Sequence, residues 1–289
     1  MSNVSIASTG GITIFSTWTD TLRKIFGRGA AFRALVSFVV VLIAWQVGSS
    51  SQKWLGFRIP FIGAVPSPVA VVEAWISLLP QVDYWMSWLL SFKRVLQGFG
   101  AALVVGIPLG LMMAVSKTFR NIFFPVFEVL RPIPPLAWVP ASIIFWPTQE
   151  MSIAFVIFLG AFFTILLNVV QGAQNIDVRY FQVAKSMGAS QFNVFRRIIL
   201  PGTLPSIFVA MEVGLGITWE VVVAAEMIAG GSANGGAGGG LGFFIWNSYI
   251  GGSYPQIVVG MISIGIAGYL SCSLVRRLEK FVTPWLAVR

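Results

Sequence analysis

The 289-residue sequence predicts an all-α membrane protein with about six transmembrane helices, and three observations carry that prediction. The chain is 56% hydrophobic and only 10% charged, with a mean hydropathy of +0.84, a balance foreign to soluble domains. Its apolar residues come in stretches close to the roughly 20 residues that a helix needs to cross hydrocarbon. Lysines and arginines gather at the ends of those stretches, as membrane topology requires. One membrane domain is the simplest organisation.

Taken in order, residues 1–30 form a Ser-, Thr- and Gly-rich tail carrying Arg23, Lys24 and Arg28, without the short apolar core and small-residue cleavage site of a signal peptide. Spans are expected at 31–50, 90–115, 122–146, 151–171, 204–229 and 255–275. Between the first two, residues 51–88 hold Pro66, Pro68, Pro80 and the aromatics Trp75, Tyr84, Trp85 and Trp88, which read as an outer-surface helix and loop at the membrane interface. The run from Gly230 to Gly242 reads as a flexible connector, with a mobile gate or a contact for an external partner as the alternative. A short tail, 281–289, follows the last span.

Charge sets the orientation. With the amino terminus inside, the inner segments hold Arg23, Lys24, Arg28, Arg33, Lys117, Arg120, Arg179, Lys185, Arg196, Arg197, Arg276, Arg277, Lys280 and Arg289, 14 of the 19 basic residues. The outer side holds Lys53, Arg58, Lys93 and Arg94, and Arg131 falls within a span, so both termini are expected in the cytoplasm. The net charge of +9 is therefore topology, since no basic stripe with interleaved aromatics marks a nucleic-acid surface. The absence of histidine excludes His-based metal sites and Ser-His-Asp catalysis, and a lone Cys272 excludes an intrachain disulfide or cysteine cluster.

Charges inside spans are costly and face the protein interior. Glu128 and Arg131 sit three apart, and the run Arg131-Pro132-Ile133-Pro134-Pro135-Leu136-Ala137-Trp138-Val139-Pro140 must break the third span. Freed backbone is tolerated at membrane depth only against protein or a water-filled cavity, so Glu128, Arg131 and Trp138 are candidates for a translocation pathway, a packing kink with a structural ion pair being the alternative. In the fifth span Glu212, Glu220 and Glu226, with Gly216 and Trp219, lie within about a third of the helix circumference at about 100° per residue. That polar face must turn inward, lining a conduit or bonding to freed backbone. Four buried acids against Arg131 sit awkwardly with an anion pathway, unless they anchor Arg131 or Arg94, are protonated, or serve a zwitterionic or cationic substrate.

The most informative segment is the polar island at 182–201. Ala184 and Gly188 share a helical face on which a partner can approach closely. A second short helix is expected from Ser190, with Phe192, Phe195, Ile198 and Ile199 apolar and Arg196 and Arg197 basic, until Pro201 breaks it. Two short helices joined at a glycine make a compact knob; an amphipathic segment lying on lipid headgroups is the alternative.

Ala184, Gly188, Ile198, Leu200 and Pro201 fall in register with the cytoplasmic loop signature of ABC importer permeases, Glu-Ala-Ala, three residues, Gly, nine residues, Ile, one residue, Leu-Pro, although Gln182 and Val183 replace its Glu-Ala. Together with Arg131 to Trp138 and Gly214-Leu215-Gly216-Ile217-Thr218-Trp219-Glu220 with Ala225-Glu226, the chain over residues 65–280 resembles the permease family for nitrate, bicarbonate, taurine and aliphatic sulfonates. Residues 239–247, Gly-Gly-Leu-Gly-Phe-Phe-Ile-Trp-Asn, resemble the nitrate and nitrite branch most closely.

That resemblance implies a type I importer fold in a bacterial inner membrane: a permease domain at 31–280 with a cytoplasmic coupling loop at 172–203, paired as a homodimer with two cytoplasmic ATPase subunits and an external substrate-binding protein. It implies that Gln182, Ala184, Lys185, Gly188, Ala189 and Pro201 couple to the ATPase, and that a small oxyanion is imported, nitrate or nitrite before bicarbonate, taurine or alkanesulfonate. ATP and Mg would sit on the partner subunits. The sequence agrees in lacking a Gly-x-x-x-x-Gly-Lys-Ser/Thr loop, so this chain itself is expected to catalyse nothing. The rival readings are an ATPase-independent secondary transporter using the carboxylates as proton carriers and a membrane-embedded enzyme. The first lacks a visible inverted repeat, and the second lacks candidate chemistry.

Overall fold

A computed structural model describes residues 29–51, 56, 62–230 and 239–286. The amino-terminal tail before residue 29, residues 231–238 of the glycine-rich run and the last three residues lie outside the described residues. The helices are α1 (Ala30–Ser49), α2 (Pro68–Leu78), α3 (Val82–Val115), α4 (Lys117–Leu130), α5 (Val139–Phe145), α6 (Gln149–Gln174), α7 (Val178–Ser186), α8 (Gln191–Val194), α9 (Leu200–Gly230), α10 (Leu241–Ile250) and α11 (Tyr254–Val282). Short 3₁₀ turns stand at Ile62–Ala64, Pro135–Trp138 and Pro284–Leu286, and no strand occurs among the described residues.

Five of these pieces are long and apolar enough to span a membrane: α1, α3, α6, the continuous rod Gln191–Ile228 and α11. The pair Lys117–Leu130 and Pro135–Phe145, bent by 87°, completes six. The bend falls where the proline run predicts it. Pro132, Pro134 and Pro135 donate no N–H, and the chain closes only single turns there, Ile133 N–H to Leu130 O at 3.1 Å and Ala137 N–H to Pro134 O at 2.9 Å.

The chain divides into two units, up to Glu73 and from Ala74 onward. In the first, α1 is tied to the segment after it by the Trp45 indole, which donates to Pro66 O at 3.1 Å, and by Gln46 Oε1, which accepts from Val69 N–H at 3.4 Å.

The second unit is built around α6, the most enclosed of the long helices. One side of α6 takes α3. Gly98, Ala102, Gly106 and Gly110 recur every four residues on α3 and are all buried. The glycines meet Ile157, Ile165 and Val169 of α6 in rising order, so the two helices run parallel. Small residues at this spacing let backbones approach closely where lipid supplies no hydrophobic force to bring them together. The other side of α6 takes α9 antiparallel: Gly160 faces Val221, Gly214 faces Ile165, and Gly172 faces Ser206. Val156, Ile157, Ala161, Ile165, Leu166 and Val169 of α6 are at most 1% exposed between them.

Two boundaries differ from the sequence expectation. Tyr84, Trp85 and Trp88 belong to the first turns of α3 and not to a loop, because Pro80 is the last breaker before them and nothing from Val82 to Gly106 interrupts helical winding. At 34 residues α3 reaches about 50 Å, beyond the ~30 Å of hydrocarbon, so its aromatic end extends into the interface. Pro201 does not break its helix either. Phe195–Ile199 wind as a π turn, in which Leu200 N–H reaches Phe195 O, and the helix passes through the proline without interruption.

The α3–α6 contact makes a direct prediction. A Cβ at Gly110 would stand 2.8 Å from Val169 Cβ and 3.1 Å from Leu166 O. Gly110→Leu should destabilise the fold by about 1–3 kcal/mol and lower the thermal unfolding midpoint in detergent. The same change at exposed Gly216, where a Cβ meets nothing within 4 Å, should leave that midpoint near wild type.

Candidate coupling and translocation sites

The island at 182–201 folds as a helix, turn and helix. Asp177 caps α7 by accepting from Arg179 N–H at 2.9 Å, and its carboxylate also pairs with the Arg179 guanidinium at 2.7 Å. These contacts hold the exposed Asp177 carboxyl below its ordinary range and push Arg179 upward. At the other end, Gly188 N–H bonds to Lys185 O at 3.0 Å and Ala189 N–H to Ala184 O at 2.9 Å. This is a Schellman closure, with Gly188 at φ +67° in the left-handed region where a Cβ is penalised. Ser190 then caps α8 through Asn193 N–H.

Ala184 is buried at the root of α7, while Gln182, Lys185 and Gly188 are exposed and Ala189 and Pro201 are half-buried. Val183, Met187 and Phe192 are large apolar side chains left more than half exposed beside basic Lys185 and Arg196. A concavity of about 900 Å³ opens between the two arms, lined by Tyr180, Val183, Met187, Val194 and Arg197. Clustered exposed apolar groups rimmed by charge are the physical marks of a surface that takes a partner.

The seven residues expected along a pathway do not share one environment. Glu128 and Arg131 are both exposed and form no ion pair with each other. They lie on the last turn of α4 and on the bend, where the chain turns away before their side chains meet. Trp138 stands in the 3₁₀ turn after the bend, packed against the core with its indole N–H buried and without a hydrogen-bond partner. Along α9 the three glutamates diverge. Glu212 pairs with Arg276 of α11, whose guanidinium also lies over Tyr269 at 5.9 Å. Glu220 is exposed. Glu226 is wholly buried. Trp219, 3% exposed, donates to Ser271 Oγ at 3.2 Å and packs edge-on against Phe92. Only one of the four acids expected to be buried is so, and the charge that answers it is Arg94 rather than Arg131.

Arg94 is the centre of a network that the sequence brings together from four helices. Its Nη1 donates to Glu226 Oε1 at 3.0 Å and to Gly239 O at 2.7 Å, while Nε and Nη2 reach Glu150 Oε2 and Oε1 at 3.0 and 2.6 Å. Glu226 further accepts from Ser91 Oγ at 2.8 Å and from Gly242 N–H at 2.9 Å. Ser91 Oγ in turn accepts from Leu241 N–H at 2.8 Å, so the start of α10 is capped by side chains of α3 and α9. By sequence Arg94 counts among the outer cations, and neither Glu150 nor Ser91 stands out. The available signal was the four-residue spacing of small residues after Arg94, which extends α3 through it and places it on the face turned to α6.

Removing one partner of a buried pair leaves an uncompensated charge. Arg94→Ala should therefore cost about 3 kcal/mol or more, read as lower yield of folded protein and a depressed unfolding midpoint. Arg179→Gln, which breaks only the exposed ion pair and leaves the Asp177 cap in place, should shift neither measurably.

Residues 106–288 match the family described as the binding-protein-dependent transport system inner membrane component. The nitrate import permease protein NrtB of Synechocystis sp. is 35% identical over 261 residues, covering 87% of this chain and 89% of that protein. The bicarbonate transport system permease protein CmpB of Synechococcus elongatus is 30% identical over 260 residues, covering 86% and 88%. The taurine transport system permease protein TauC of Escherichia coli is 32% identical over 226 residues, covering 76% and 80%. Among solved structures, the inward-facing MetNI methionine ABC transporter is similar with a TM-score of 0.55 at 22% identity, covering 73% of this chain and 99% of that one. A bacterial ABC transporter for the acidic polysaccharide alginate reaches 0.58 at 14% identity, covering 93% and 99%. These likenesses establish the type I importer permease fold. The chain therefore belongs to the inner-membrane permease component of binding-protein-dependent ABC transport systems, the membrane-spanning and non-catalytic part of such an importer.

Proposed function

We propose that this chain is the permease of an ATP-driven importer for a small oxyanion, nitrate or nitrite, received from an external binding protein and released to the cytoplasm by alternating access. The observation that carries the substrate is the match to nitrate import permeases over 86–87% of the chain at 33–35% identity. Bicarbonate and taurine are the competing cargoes, because permeases for both align at 30–32% identity.

In this reading two copies of the chain form the pathway, both termini face the cytoplasm, residues 1–30 and 281–289 are tails around a 31–280 permease domain, and two ATPase subunits grip the knob of α7 and α8. ATP and Mg belong to those subunits. Gln182, Lys185 and Gly188 present themselves to the ATPase, buried Ala184 supports α7 from beneath that surface, and Ala189 and Pro201 set the angle at which the knob joins α9. Closure of the ATPases on ATP moves the knob, and the spans shift between two arrangements, a two-state element biased by a ligand on another chain. Glu128, Arg131, Trp138, Glu212, Trp219, Glu220 and Glu226 are assigned to the pathway and its supports.

The test is reconstitution in liposomes with the partner ATPases and binding proteins loaded with nitrate, bicarbonate or taurine. Nitrate-loaded binding protein should stimulate ATP hydrolysis and uptake most. Gly188→Trp should abolish coupled uptake while the chain still folds, because the strain of a Cβ at φ +67°, about 1–2 kcal/mol, falls on an exposed turn where that Cβ meets nothing within 4 Å. No stimulation by any of the loaded binding proteins, with no ATPase retained on purification, would sink the importer reading in favour of an autonomous transporter.

A further inference from the structure

An importer of anions must bring negative charge to positive charge within a low-dielectric wall, and among the described residues Arg94 is the base most fully enclosed by that wall, with its side chain 1% exposed. Among the described residues its donors reach two sets of partners. Nη1 points inward to Glu226 and Gly239 O, and that side is fixed: Glu226 is fully buried and is also held by Ser91 and Gly242. The Nε and Nη2 edge points the other way and holds both oxygens of Glu150 in a two-pronged contact at 3.0 and 2.6 Å.

The two carboxylates differ in how firmly they are kept. Glu150 sits in the first turn of α6 with its side chain 40% exposed, and among the described residues its hydrogen bonds come from Arg94 alone. The exposed Lys93 lies close enough for its charge to act on Glu150 as well. Glu150 is thus a planar anion, itself half-exposed, on the outer edge of a buried guanidinium that Glu226 orients from behind. An O–C–O edge and the O–N–O edge of nitrate have the same trigonal shape, and both suit the parallel N–H pair of an arginine.

We propose that the Nε–Nη2 edge of Arg94 is a binding site for a planar oxyanion of the nitrate or bicarbonate class, and that Glu150 fills it as an internal stand-in which the substrate displaces. The proposal rests on the oxyanion-importer reading above and deepens it. Glu150 is covalently tethered at its site and competes at high effective concentration, so the apparent affinity of the site is the intrinsic one multiplied by the fraction of time Glu150 leaves it open. Displacement needs the free anion to arrive at high local concentration, which a docked binding protein supplies. A sulfonate also offers two oxygens to the fork, but its tetrahedral head carries a third oxygen out of the guanidinium plane, outside the volume that the planar Glu150 carboxylate occupies. Glu226 and Ser91 act through Arg94 as positioning residues.

Titration calorimetry of the full-length chain in lipid nanodiscs tests this with nitrate, bicarbonate, chloride and taurine as probes. Glu150→Gln should bind nitrate and bicarbonate about tenfold more tightly than wild type, with taurine little changed. Adding Arg94→Lys, which keeps the charge opposite Glu226 but loses the two-pronged edge, should remove the gain. Glu150→Ala repeats the measurement should the Gln variant fold poorly. Equal affinity of wild type and both Glu150 variants, or a gain that survives Arg94→Lys, overturns the site. Nitrate, bicarbonate and taurine uptake by the wild-type complex with its ATPases is followed in parallel. Anion binding that tightens as expected without ATP-driven uptake of any of the three would sink the importer reading and leave the site standing, whereas uptake of nitrate or bicarbonate without tightening would sink the site alone.

Discussion

A guanidinium enclosed by four helices is the constraint around which the rest of this structure arranges itself. Arg94 cannot be stripped of its charge, so burying it obliges α6 and α9 to deliver carboxylates, and obliges Gly239, two residues before α10, to deliver a carbonyl. Those obligations fix the rotation of each helix about its own axis, something apolar packing in lipid specifies poorly because lipid chains are as apolar as the side chains they touch. Glu226 carries the obligation further by capping α10 through Gly242 N–H. The glycine stripe of α3 then brings the helices near enough for these bonds to be made. Packing and polarity are thus complementary: small residues set the distance between helices, and the charged cluster sets their register.

Much of the fold was legible because the bilayer leaves the chain few choices. Lengths of apolar runs gave the spans, and the prolines after Arg131 gave the broken one, since a missing N–H is a property of the residue and not of its surroundings. What the sequence hid was the effect of neighbours. Pro201 ought to end a helix, yet a π turn at Phe195–Ile199, ending two residues earlier, absorbs the misfit. Glu212, Glu220 and Glu226 share a face by arithmetic, yet they meet Arg276, open surface and Arg94 in turn, because α9 is long enough to pass three different neighbours. Glu150 lies one residue outside the expected 151–171 span and carries no signal of its own, and only the parallel course of α3 and α6 brings it to Arg94.

The knob is a different kind of object from the core. Its local order comes from short-range devices, an Asp cap, a Schellman closure and a Ser cap, each satisfied within a few residues. Such an element holds its own shape while offering Val183, Met187 and Phe192 outward, so it resembles a rigid tool attached to the bundle more than a part of it. Segments stabilised locally keep their form when the elements around them move.

The rod that runs from Gln191 to Ile228 has a mechanical consequence. Its 38 residues give a stiff length of about 57 Å that begins in the knob and ends beside the Arg94 cluster. A rod anchored at one end turns a push at the other into rotation, with large travel near the push and little near the anchor. The π turn at Phe195–Ile199 adds a compliant joint close to the driven end, where the helix is already wound off its regular pitch. Stiffness, anchor and joint thus lie along a single helix, so the amplitude of any motion entering at the knob is graded by position, and Glu226 sits near its still point.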